Sequence, residues 1–192
     1  MLFVLIVLLL VASVFVLLMK TNRESLCLLG MCCSLMVQFS GILIFIAKKG
    51  GYSRSIINFL FFSQALRNKL QYLFITLDAL GYIIAVGRYL FPLFLLESAL
   101  QYSMIGWIRR HPDIQKWICV LPAATLAVYF PPVFRFIVNR WPVMHSVLVE
   151  GSYWWITAYV AVALVLMIQE LFAITMRFCR KQFVGIVGCH LA

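Results

Sequence analysis

Residues 2–19 read LFVLIVLLLVASVFVLLM, 18 consecutive positions without a single charge. As an α-helix this run reaches about 27 Å, close to the hydrocarbon thickness of a bilayer. No basic segment stands ahead of it and no small-residue cleavage site follows; Lys20 and Arg23 come next instead. That order predicts an uncleaved membrane anchor with its N-terminus outside. A second run, 26–47, is interrupted only by Ser34, Gln38 and Ser40 and closes on Lys48-Lys49-Gly50-Gly51. Two helices joined by a short turn make an antiparallel hairpin.

The composition of the whole chain agrees. Of 192 residues, 65% are hydrophobic and 11% charged, against about 25% charged in soluble domains. A soluble fold of this size cannot hide so much apolar side chain, because its surface needs polar residues. The bilayer is therefore the expected partner. The net charge of +10 comes from 16 Lys and Arg against 6 Asp and Glu, set as pairs and trios at the ends of apolar runs. That distribution suits lipid headgroups and topology control, and it excludes a nucleic-acid partner, which needs a continuous basic stripe.

Further along, 55–66 reads as an interfacial helix. Arg67-Asn68-Lys69 would otherwise sit in hydrocarbon at a cost of several kcal/mol, though an extra span over 55–77 is the alternative. Runs at 80–108, with Pro92 as a kink, at 117–134, and at 154–176 predict three more spans. Residues 183–192 are apolar apart from His190, and read as the start of an incomplete sixth span or as a tail. The expected fold is thus all-α: a polytopic membrane helix bundle of about five transmembrane helices (2–19, 26–47, 80–108, 117–134, 154–176) plus an interfacial helix. Trp107, Trp117, Tyr153, Trp154 and Trp155 are the expected interface anchors. Under N-out topology the inner segments carry eight Lys and Arg and the outer ones seven, with Arg88 inside a span. Charge alone leaves orientation open.

Catalytic patterns are missing from the sequence. His111, His145 and His190 lie far apart, and none has a metal-ligand neighbour one helical turn away. The six cysteines lack metal-ligand spacing and read as small packed thiols. No nucleophile elbow, phosphate loop or dinucleotide fingerprint is present. The expectation is no enzyme activity, no catalytic residue, no metal and no cofactor.

Four polar residues at membrane depth stand out as candidates for signal or ligand sensing: Asp78, Arg88, Glu97 and Gln101. Each must find a partner or water. At about 100° per residue, Asp78, Gly81, Ala85 and Arg88 fall within a sector of about 80°, a small and polar stripe where Gly81 and Ala85 predict a close helix approach. Glu97 lies on the opposite face, about 13 Å further along. Glu97 and Gln101 share a face, where they either line a pocket or make structural interhelical hydrogen bonds.

The stretch 87–102, GRYLFPLFLLESALQY, is similar to the third span of the seven-helix input region of bacterial membrane sensor histidine kinases. Arg109-Arg110, Leu121-Pro122-Ala123, Pro131-Pro132 and the aromatic opening Tyr153-Trp154-Trp155 continue that pattern. The resemblance covers about residues 1–183, five of seven spans. It implies an N-outside, multi-pass protein of the plasma (cytoplasmic) membrane, a homodimer through the bundle, and a downstream kinase domain and response regulator as partners. The chain departs from the family in lacking a phosphoacceptor histidine motif and ATP-binding boxes: Pro and Asp follow His111, and His190 is two residues from the end. The implied function is a signal-sensing input module without its kinase core. The alternatives are a transporter or channel fragment and a small stand-alone membrane protein.

Overall fold

In a computed structural model of the chain, the described residues are 2–18, 23–50, 53–61, 63–102 and 113–190. Their side chains are described except at 23, 24, 54, 57, 58, 102, 115 and from 176 onward. Trp107 and Arg109-Arg110 lie outside these residues. The described residues form eight helices and no strand: α1 (Leu2–Leu18), α2 (Arg23–Lys49), α3 (Arg54–Phe61), α4 (Gln64–Gln71), α5 (Leu77–Tyr102), α6 (Asp113–Tyr129), α7 (Pro131–Arg140) and α8 (Val143–His190).

Three of these helices contain stretches long and apolar enough to cross a membrane: Ser25–Lys49, Leu77–Gln101 and Val143–Thr175. The chain is therefore all-α and carries the several apolar helices that a multi-pass membrane protein requires. The count of five is not reached on this criterion. α1 is apolar but has only 17 described residues, and the run expected over 117–134 is not one straight span. It breaks into Lys116–Tyr129 and Pro131–Arg140, bent by 73°, so the total is at most four if this pair crosses as one. The cause is Pro131-Pro132 at the first positions of α7. Neither proline has an N–H to continue the ladder of α6, whereas both fit the first turn of a new helix.

Other boundaries differ from the expected ones for similarly local reasons. The interfacial helix expected over 55–66 is two short helices. Ser63 is extended, and its hydroxyl accepts a bond from the Ala65 N–H, starting α4 afresh. Arg135 and Arg140 belong to α7, and α8 begins at Val143, ten residues before Tyr153. Residues 183–190 belong to this same helix.

α2 and α5 form the closest pair in the bundle. They run antiparallel: Gly41 meets Ile84, Gly87 meets Ser34 and Gln38, and Gly30 meets Phe94. A Cβ at Gly87 would press on the Ser34 carbonyl oxygen and stand 2.7 Å from the Gln38 N. Both are backbone atoms, so the contact exists only because residue 87 has no side chain. Ser34 itself is buried and donates to the Gly30 carbonyl at 2.5 Å, so its hydroxyl is satisfied within the interface. Close approach was expected instead at Gly81. There a Cβ would have no atom within 4 Å, and the position faces open space.

Two apolar clusters fix the remaining helices. Leu96, Ala99 and Leu100 of α5 pack on Ala163 and Leu166 of α8, with Ile118 and Tyr159 against them. Leu43 and Ala47 of α2 enclose Phe61 of α3 together with Leu2 and Leu70. Lys48 donates to the carbonyls of Leu73 (2.5 Å) and Ile75 (2.7 Å), satisfying irregular backbone between α4 and α5. Leu2, Lys48, α3, α4, the start of α5, α7 and the start of α8 thus gather at one end of the bundle.

Candidate functional site

At that end, α5, α6, α7 and α8 enclose a cavity of about 340 Å³. The stripe Asp78, Gly81, Ala85 and Arg88 forms its α5 wall. Tyr129 comes from α6, Phe134 and Arg135 from α7, and Ser152 from α8. The bend at Pro131 is what folds α7 over the cavity; a straight continuation of α6 would carry Phe134 and Arg135 away from it.

Asp78 and Arg135 form an ion pair across the mouth. Their side chains remain half or more exposed, so the pair contributes only about 0–1 kcal/mol and can open readily. Arg88 lies ten residues further along α5, about 15 Å deeper. Its guanidinium sits over the Tyr153 ring, 4.1 Å from the centroid. Arg88 takes no part in the ion pairs Asp78–Arg135 and Lys116–Asp113; the ring of Tyr153 faces this cation instead. Such a contact offsets only part of the cost of a charge at membrane depth.

A chain of aromatic rings runs from the cavity wall, at Tyr89, Tyr129 and Phe134, into the bundle. Tyr89 is buried, with its ring 5.3 Å from Tyr129 and 5.6 Å from Trp155. Tyr129 stacks on Phe134 at 5.1 Å, and Trp155 meets Tyr159 edge-on at 5.2 Å. Tyr159 in turn donates to the Ile118 carbonyl at 2.8 Å, tying α8 to α6. Of the expected interface anchors, Trp117 and Trp154 point outward, at 73% and 77% exposure. Trp155 is turned into the bundle, with its indole N–H buried and without a partner among the described residues. Tyr153 serves Arg88.

The four sensing candidates divide into two pairs. Asp78 and Arg88 share the cavity; Glu97 and Gln101 lie towards the opposite end of α5 and do not line it. The Gln101 amide donates to the Cys27 sulfur at 3.2 Å, while its carbonyl oxygen is buried and accepts no hydrogen bond among the described residues. Glu97 stands within electrostatic reach of Cys119 on α6. Gln38 of α2 lies against Gly87.

Sequence reasoning missed Arg135, Tyr129, Phe134 and Ser152 as cavity residues. The available signal was Pro131-Pro132, which marks a helix start and sets Arg135 one turn inside it. Among the described residues no three His, Cys, Asp or Glu converge as a metal site would need. No family model, curated protein or solved structure matches the chain.

Proposed function

We propose that this chain is the membrane-embedded, signal-sensing input module of a two-component sensor histidine kinase. In this reading α1, α2, α5, the bent α6–α7 pair and α8 are five spans of a cytoplasmic membrane. The N-terminus is outside, and α3–α4 lies at the interface. The module carries no catalytic residue itself. It works as a homodimer through the bundle, coupled to a downstream kinase domain and its response regulator.

The observation that carries this reading is the cavity and the helix that leaves it. Ser152 and Val149 of α8 line the cavity, and α8 then continues as one helix to His190. A ligand that separates the weak Asp78–Arg135 pair, or that moves Tyr153 against Arg88, shifts α8 as a rod. Its differential affinity for the two packings is the signal. With the N-terminus outside, the cavity mouth faces the extracellular side, where a signal arrives.

A transporter fragment is the second reading, favoured by the bent α6–α7 pair, since broken helices build transport sites. It would use Asp78, Arg88 and Glu97 along one pathway, yet Glu97 stands apart from the cavity. The discriminating test is the gene itself. Continuation of the reading frame from α8 into a phosphoacceptor helix and an ATP-binding domain is the expected result. A stop codon at that point in a complete, expressed gene, together with solute flux in proteoliposomes that Glu97→Gln abolishes, would favour transport.

A further inference from the structure

The cavity holds two cations and one anion, Arg88 and Arg135 against Asp78. Asp78 is engaged at the mouth by Arg135, so one positive charge remains, and it is the deeper one. Arg88 is the twelfth of the 26 residues of α5, near the middle of the stretch Leu77–Gln101 that is apolar enough to span. A guanidinium at that depth needs an anion or water to offset its lost hydration. Its ring partner, Tyr153, covers one face, and the guanidinium's planar edge of N–H donors makes no hydrogen bond among the described residues. The lining of the same cavity includes the rings of Tyr82, Tyr89, Tyr129 and Phe134.

We infer that the cavity is a binding site for a small monoanionic carboxylate with an aromatic or apolar body, and that Arg88 is its counter-ion. Charge sets the first part, because one anion neutralises the excess of one cation whereas a phosphate dianion would overshoot it. Geometry sets the second, because a guanidinium fork matches a carboxylate with two parallel hydrogen bonds. Volume sets the third. At about 30 Å³ per water-sized group, some 340 Å³ holds roughly ten non-hydrogen atoms, the size of phenylacetate. The inference deepens the proposed function and rests on it for the meaning of binding, since it names the class of signal the module receives.

The test uses the whole chain, purified in a neutral detergent, with isothermal titration of phenylacetate, its neutral amide and phenethylammonium. Phenylacetate should bind at least tenfold more tightly than the amide, and the ammonium should not bind. Arg88→Gln should erase the preference for the carboxylate, while Arg88→Lys should keep most of it. If Arg88→Gln does not fold, the comparison of the three ligands on the unaltered chain still decides. Equal binding of acid and amide would overturn the inference, as would a preference that survives Arg88→Gln. So would displacement of phenylacetate by phosphatidylglycerol nanodiscs but not by phosphatidylcholine ones, which would make the occupant a lipid headgroup. Carboxylate-selective binding in a chain whose gene encodes no kinase would sink the sensor reading and leave this site intact. A kinase that signals through a chain with no such selectivity would do the reverse.

Discussion

Gly87→Leu is expected to separate α2 from α5 and to cost more stability than any other single substitution considered for this bundle. The position has no room: its Cβ would meet the backbone of Ser34 and Gln38, and backbone cannot rotate aside as a side chain does. Overpacked cores typically lose about 1–3 kcal/mol, and a clash with main-chain atoms belongs at the upper end. The same shift would strain Ser34, whose hydroxyl bond to Gly30 lies in the contact, and Phe94 where it covers Gly30. Thermal unfolding in detergent should show a clear drop in Tm, with Gly87→Ala smaller and in the same direction. Gly81→Leu is the control, since nothing lies near its Cβ position; it should leave Tm nearly unchanged while filling the cavity. Equal losses at 81 and 87 would contradict the assignment of α2–α5 as the close pair.

The second large effect is geometric. Replacing Pro131 and Pro132 together by Ala restores two N–H donors and removes the ring clash that ends α6, a barrier of about 3 kcal/mol for a proline inside a helix. α6 and α7 should then merge into one straighter helix. Spin labels at Val120 and Asn139, both on exposed positions, should move apart by about 5 Å as the 73° bend opens, given the helical rise per residue. Arg135 would leave Asp78, and the cavity would lose its α7 wall. An unchanged distance would mean that packing of Phe134 against Tyr129, not the proline pair, holds the bend.

These two variants also mark what the sequence could and could not disclose. Length and lack of charge made the apolar helices of α1, α2, α5 and α8 legible, because hydrocarbon imposes a minimum run and a penalty on charge that any chain must obey. Helical periodicity was enough to group Asp78, Gly81, Ala85 and Arg88 as one stripe, and that stripe is the α5 wall of the cavity. The neighbour of a stripe is another matter. Gly81 and Gly87 look alike along the chain, yet one faces open space and the other a backbone, because the difference lies in how α2 crosses α5. Trp155 likewise shares a motif with Trp154 but lies about 100° around the helix, enough to turn it onto Tyr89 and Tyr159. The break at Phe130 was written in Pro131-Pro132, but hydrophobicity on both sides read as one continuous run. Arg135 lay just beyond the end of that run, and its ion pair with Asp78 had no basis in spacing.

The central claim is that apolar helices embedded in hydrocarbon enclose a wet cavity reaching down to Arg88. Single-cysteine labelling in liposomes tests it most directly, with the six native cysteines replaced and a hydrophilic, membrane-impermeant maleimide applied from the side of the N-terminus. Gly81→Cys, on the cavity wall, should react, and phenylacetate should slow it; Val162→Cys, which is 50% exposed on the outer face of α8, should stay unmodified. Rapid labelling at 162, or none at 81, would show that water lies where lipid is expected or that the cavity is closed to it.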